Sequence, residues 1–309
     1  MRQELRTNGG DTLALGGSTN ASFNASAIDS ALPGTYTAAQ FVGFNGLVKQ
    51  DTSTWTLNGA NSDALPIAVN GGELDVAGQV STSTLAVQSG GSVVVDGALH
   101  IANAGNIGTG AITVDAGGAL GLAGNGTTTF GGNVANAGTL AIASGSAAQF
   151  NGTYSGPGSV TGAGTAQFDG TLAPGDPVIE NFAGNVVLQS ANNLLLDLAG
   201  TTAGTGYDQL IVGGNAALGG NLTVDLLNNF TPTLGDSFQL ISSSTFSGKF
   251  GTFNLPTLSQ GLQWNTSSLD THGLLSVQGT AIPEPTTLLL LMPVGVLMLL
   301  RRRRPRPAA

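Results

Sequence analysis

Residues 72–76 read GELDV, 91–95 GSVVV, 118–122 GALGL, 138–142 GTLAI and 158–162 GSVTG. Each segment is a glycine, a small or polar residue, then Leu or Val, and the glycines follow one another at 19, 27, 20 and 20 residues. Behind them the apolar side chains alternate: Leu74 and Val76, Val93 and Val95, Leu120 and Leu122, Leu140 and Ile142. Alternation is the period of a strand with one face buried. Gly-Gly, Asn-Gly and Asn-Ala-Gly lie between the segments, where a corner calls for positive φ. Short strands recurring about every 20 residues predict an all-β fold, a right-handed parallel β-helix. Leu, Val and Ile then stack inward from rung to rung, and Glu73, Asp75, Asp96 and Ala141 face outward. The 27-residue interval is expected to hold one rung plus a loop of about seven residues near Ala104–Gly110. The competing architecture, a hairpin-rich sandwich, would show turns every 8–12 residues or so.

The repeats have a lead-in and a sequel. FVGFNGLVKQDTSTWTLNG (Phe41–Gly59), then LPIAVNGGELDVAG (Leu65–Gly78), resembles the autotransporter-associated β-strand repeat: an aromatic-rich strand with Lys49, then Thr-Trp-Thr-Leu-x-Gly, then V-x-x-G-x-L-x-V-x-G. The resemblance covers about 40 residues and implies a passenger-type β-helix, without the membrane barrel of an autotransporter. After Leu172–Asp176 (LAPGD, a corner) the texture changes. Asn192–Gly200, Tyr207–Gly214, Leu218–Leu227, Phe230–Ile241, Gly261–Asn265 and Gly273–Val277 give about seven strands, read as last rungs and a C-terminal β cap. A cap is needed because an open end leaves an unpaired edge. The expected organisation is an N-terminal β region at 1–66, β-helix repeats at 67–176, rungs and cap at 177–280, and a tail at 281–309.

Charge separates the body from that tail. Of nine Lys and Arg, five lie at Arg301–Arg304 and Arg306, while 17 of 18 acids precede residue 281, so the body carries −13 and the tail +4. A body this acidic does not gather phosphates, so no nucleic-acid partner is expected. Charged residues are only 9% of the chain, which fits a surface of Ser, Thr, Asn and Gly rather than a solvated helix. There is no cysteine, hence no disulfide and no thiolate metal site.

The tail reads AIPEPTTLLLLMPVGVLMLLRRRRPRPAA. Pro283, Glu284 and Pro285 precede a 13-residue apolar run, Leu288–Leu300, and Arg301, Arg302, Arg303 and Arg304 follow at once. As a helix the run is about 20 Å long, short of the roughly 20 residues that cross a bilayer comfortably. Extended to 286–300 it is still short, and Pro293 and Gly295 weaken it. The arginines should stay cytoplasmic, leaving the body outside the inner membrane. In order, spacing and position the segment resembles the PEP-CTERM protein-sorting signal. The resemblance implies recognition of Pro283, Glu284 and Pro285 by an exosortase, Arg301–Arg304 as membrane stop, a transient stay in the inner membrane, and delivery to the cell surface or extracellular matrix of a Gram-negative bacterium. The opening MRQELRTNGGDTLALGG lacks a 7–15-residue apolar stretch, so an in-frame signal peptide upstream of Met1 is expected.

Little in the body points to chemistry. His100 flanks Leu99 and Ile101 on a predicted strand and points outward, while His272 falls in a turn before Gly273 in another subregion. No G-x-S-x-G is present. Uronate-processing β-helices need acids interleaved with cations, and the body offers only Lys49 and Lys249 past its first residues. Asp75, Asp96, Asp115, Asp169, Asp197, Asp208, Asp225 and Asp236 read as solvated carboxylates, since the calcium-binding G-G-x-G-x-D nonapeptide is absent. Thr52/Thr54/Thr56, Thr82/Thr84 and Thr127/Thr129 do not share a rung phase, which disfavours an ice-ordering ladder. The expectation is an exported, non-enzymatic structural protein without metal or cofactor, associated with exopolysaccharide or biofilm matrix. The alternative is an adhesin with a glycan or protein ligand on one β-face.

Overall fold

The computed structural model describes residues 5–29 and 41–280, with side chains described from Asp11 onward. Strand follows strand in parallel throughout the coil. Each turn contributes three short strands, one to each of three faces. One turn, for example, consists of Leu85–Val87, Gly91–Val95 and Ala98–Ile101. The second face is an unbroken ladder of eleven strands, from Ala21–Asn24 to Thr252–Asn254. At about 4.8 Å per step this ladder is roughly 48 Å long. The protein is a parallel β-helix, as the alternation predicts.

The register is regular through the middle. Along the second face Leu74 pairs with Val93, Val93 with Ile112, Ile112 with Val134, Val134 with Tyr154, Tyr154 with Leu172, and Leu172 with Leu194, in steps of 19, 19, 22, 20, 18 and 22 residues. Along the third face Leu99, Leu120, Leu140, Val160 and Phe182 succeed one another. Leu74, Val76, Val93, Val95, Leu120, Leu122, Leu140 and Ile142 are all buried, so each expected inward residue points inward. Pairing runs without a break across residues 66 and 176, since Leu47 pairs with Ile67 and Leu172 with Leu194.

The 27-residue interval holds no inserted loop. Gly72 and Gly91 open second-face strands, whereas Gly118, Gly138 and Gly158 precede third-face strands at Ala119, Thr139 and Ser159. The interval is therefore a change of face. The second-face successor of Ser92 is Ala111, again 19 residues on. Asn106–Gly108 is itself a strand of the first face, stacked beneath Gly126–Phe130. Glycine is needed at both corners because the turns approach closely. A Cβ at Gly118 would collide with the carbonyl of Val95, and Gly72 sits at φ 64° against the carbonyls of Ser53 and Asp51.

Aliphatic side chains fill the turns from Ile67 to Leu122, and aromatic rings stack in the turns from Phe130 to Phe182. Phe130, Phe150 and Phe168 occupy one register position and stack at 5.0 and 5.1 Å between ring centroids, interplanar angles 15° and 17°. That separation is close to the inter-strand spacing, so the backbone ladder sets the ring stack. Phe182 meets Phe168 edge-on at 5.8 Å, and Tyr154 meets Phe150 edge-on at 4.8 Å.

Past Phe182 the turns lengthen. Gln209–Leu218 is one ten-residue strand that pairs with Ile179–Phe182 by its first half and with Asn185–Leu188 by its second, fusing the third and first faces. Ile241–Gly248 repeats this on the next turn. The end is covered by an antiparallel sheet of Ser237–Gln239, Leu274–Gly279 and Leu262–Ser268, with the four-residue helix Leu269–His272. Phe238, Leu269 and Leu275 of this cap are fully buried. Ten strands lie between Ile179 and Gly279, more than the seven expected. Ile179–Phe182, Asn185–Leu188, most of Ile241–Gly248 and Thr252–Asn254 lie outside the segments read as strands. No helix among the described residues is long and apolar enough to cross a membrane. The expected hydrophobic helix at 286–300 lies outside the described residues.

Candidate functional site

The sorting motif Pro283, Glu284, Pro285 and the stop Arg301–Arg304 also lie outside the described residues. His100 is exposed on the third face, paired with Gly121 of the next turn, and His272 is exposed at the end of the cap helix. The coil does not bring them together. Thr82 is fully buried, with its hydroxyl 2.7 Å from the carbonyls of Leu65 and Thr84, so it belongs to no outward threonine ladder.

The aspartates divide by register. Asp96 follows Val95 and Asp115 follows Val114, its register partner, so the two carboxyls stack on successive turns. A hydrogen bond shared with Asp115, then desolvation and the charges of Asp75, Asp115 and Glu73, raise the Asp96 pKa. Asp197 pairs directly with Asp225, and burial, then Asp225 and Asp176, raise its pKa. Among the described residues no group of three or more His, Cys, Asp or Glu is placed to hold a metal ion.

Asp208 corrects the solvated reading. It is fully buried and accepts hydrogen bonds from the backbone N–H groups of Asp197 (2.7 Å) and Val178 (2.8 Å). Desolvation dominates those bonds and pushes its pKa up to about 6. Near it, inside the coil, lies Glu180, also fully buried, with neither carboxyl oxygen hydrogen-bonded. Tyr154, fully buried, accepts from Asn136 Nδ2 at 2.9 Å. Its hydroxyl lies close enough to Glu180 to favour the carboxylate but falls short of hydrogen-bond geometry. Burial, assisted by the charge of Asp208, prevails and raises Glu180 to about 8, so it is mostly protonated at neutral pH. Burial first, then Glu180, raise the Tyr154 pKa well above its ordinary value.

Lys49, carried by the repeat resemblance, is fully buried as well. Its ammonium donates to the carbonyls of Gln50 (2.7 Å), Gly71 (3.0 Å) and Asp51 (3.3 Å), tying the strand Phe41–Lys49 to the next turn. Burial lowers its pKa against the opposing pull of Asp51. All three of its donors have acceptors, which fits a structural clamp.

One concave polar surface stands apart from these. Where Ile241–Gly248 meets the cap, Gln239, Ser242, Ser243, Ser244, Thr245, Phe246, Thr271 and His272 line an open groove of about 520 Å³. Ser243 Oγ lies 2.8 Å from the carbonyl of Thr245 and 2.9 Å from that of Gly214, Ser244 donates to the carbonyl of Gly214 at 2.6 Å, and Thr245 donates to Asn215 Oδ1 at 3.0 Å. Gln239 Nε2 donates to the carbonyls of Ile241 and His272. Thr271 Oγ1 lies 2.8 Å from His272 Nδ1. Phe246 is half-buried and gives the groove its one phenyl wall. No carboxylate and no Lys or Arg lines it. No family model matches the chain, and no curated protein sequence matches it significantly.

Proposed function

We propose that the chain is an exported, non-enzymatic rod of a Gram-negative cell surface or extracellular matrix, delivered through its C-terminal tail. The observation that carries this reading is the tail itself: Pro283-Glu284-Pro285, a 13-residue apolar run and four arginines, joined to a low-charge body. A run too short to span comfortably, held by a cationic stop, suits a temporary membrane intermediate awaiting processing by an exosortase. A β-helix suits a spacer or scaffold in exopolysaccharide, because its stability lies in contacts between neighbouring turns along its length. The second reading, a saccharide-binding adhesin, draws on the hydroxyl-lined groove.

The test is intact-mass measurement and C-terminal peptide mapping of the protein recovered from its native cells, fraction by fraction. The expected result is a form outside the cell that ends near Pro283–Pro285. Full-length protein retained in the inner membrane with Arg301–Arg304 attached would overturn the sorting reading and make the tail a permanent anchor.

A further inference from the structure

We propose that the groove between Ile241–Gly248 and the cap helix is a binding site for a neutral saccharide. The direction of the hydroxyl protons sets the chemistry of the groove wall. A serine or threonine hydroxyl has one proton and two lone pairs. Ser244 and Thr245 direct their protons at Gly214 and Asn215, and Ser243 directs its one proton at a backbone carbonyl, that of Thr245 or Gly214. Gln239 likewise directs amide protons at the carbonyls of Ile241 and His272. What these four side chains leave toward the groove is mainly lone pairs, to which Ser242, Thr271 and His272 add hydroxyl and imidazole groups, in a lining without carboxylate, Lys or Arg.

That surface selects its ligand. An anion would meet lone pairs, with no Lys or Arg to balance it. Calcium and magnesium are held by carboxylates, and none lines the groove. The complementary ligand is uncharged, rich in O–H donors, and able to lay an apolar C–H face on Phe246. A sugar ring has both properties. The volume of about 520 Å³ falls within the range of small-molecule sites.

The neighbouring backbone extends the site along the coil. Thr165, Asn185, Asn215 and Thr245 occupy one outward register position on successive turns. Asn185 Oδ1 accepts from the Asn215 N–H at 2.9 Å, and Asn215 accepts from Thr245 at 3.0 Å. This row of neutral amides and hydroxyls leads into the groove, so a chain of sugars can continue from it along the first face.

The inference does not rest on the sorting reading, because the groove would bind sugar wherever the protein is delivered. The test uses the purified full chain and three neutral oligosaccharides, cellohexaose, maltohexaose and chitohexaose, by saturation-transfer NMR and calorimetry up to about 10 mM, the weak end of specific binding. Saturable binding of at least one is expected. Phe246→Ala should weaken it at least tenfold, with Phe246→Tyr retaining it. Because Phe246 also packs on the core, Ser242→Arg supplies an independent probe: Ser242 is exposed on the groove wall, and the added bulk should block the site. Thr127→Arg, exposed on a distant turn, should bind as the unmodified protein does. Absence of saturable binding to all three sugars, or equal binding by Ser242→Arg and the unmodified protein, would overturn the site. Neither result bears on where the tail is cut.

Discussion

At the scale of single residues, the unusual feature is a buried acid without a hydrogen-bond partner in the protein. Glu180 lies inside the coil with no hydrogen-bond donor on either oxygen, and desolvation raises its pKa from 4.5 to about 8. Below pH 4.5 the carboxyl is protonated in both folded and unfolded chains. Between 4.5 and 8 the unfolded chain releases its proton and the folded one does not, so stability falls as pH rises and then levels off. The loss across that window is on the order of 4–5 kcal/mol. Asp208 adds a fall of the same sign between 3.8 and about 6. Thermal melts from pH 4 to 9 should therefore show a falling midpoint that Glu180→Gln makes markedly flatter. Parallel pH profiles for the two proteins would refute this account. The cluster was only half legible in the sequence. Phe182 fixes the inward phase of Ile179–Phe182, and that phase already points Glu180 inward. What hid it was the segment's position: no strand was expected there, and a glutamate between Ile179 and Asn181 reads as surface without its partners. The groove was less legible still, because the proton directions of Ser244 and Thr245 depend on Gly214 and Asn215, a turn away.

At the scale of the element, side chains stacked in one register are the unit of cohesion. Phe150 lies between Phe130 and Phe168 and touches Tyr154 edge-on. Phe150→Ala would leave a ring-sized gap in a stack fixed by the backbone, which cannot collapse to fill it. A loss of about 3–5 kcal/mol is expected, against near-neutral behaviour for the exposed Thr127→Ala. Urea titration checks it, and equal midpoints for the two variants would refute the stack's role. Strands were the most readable level, since alternation and glycine corners are local signals. Phase was harder. The motif of glycine, small residue and Leu or Val occurs at more than one corner per turn, so a count across faces produced a spurious interval. Gly110-Ala111-Ile112 and Gly97-Ala98-Leu99 carry the missing beats. The first is set aside by restricting the third position to Leu or Val, and the second marks the third face. Neither can be assigned to a face until the turns are wound.

At the scale of the whole molecule, stability is assembled from neighbouring turns, and the ends are where it is weakest. At the C-terminal end the antiparallel cap covers the last turn through Phe238, Leu269 and Leu275. Leu275→Asp places a charge in that buried layer and should lift the cap. Hydrogen exchange should then show lost protection over 237–279 with the ladder at 72–198 still protected. Sedimentation should show concentration-dependent association through the bared strands. An unchanged exchange pattern and a monomer at all concentrations would deny the cap this role. Parallel winding has a further effect that an up-and-down barrel or hairpin sheet would not. Every turn advances the chain along one axis, so Leu15 sits in the first turns and Gly279 in the cap at the far end. Whatever is attached after residue 280 therefore grips the molecule by its capped end. If that attachment is a membrane, the rod stands on its cap, and the successive turns carrying Leu15 and Lys49 are held roughly 50 Å out from the lipid.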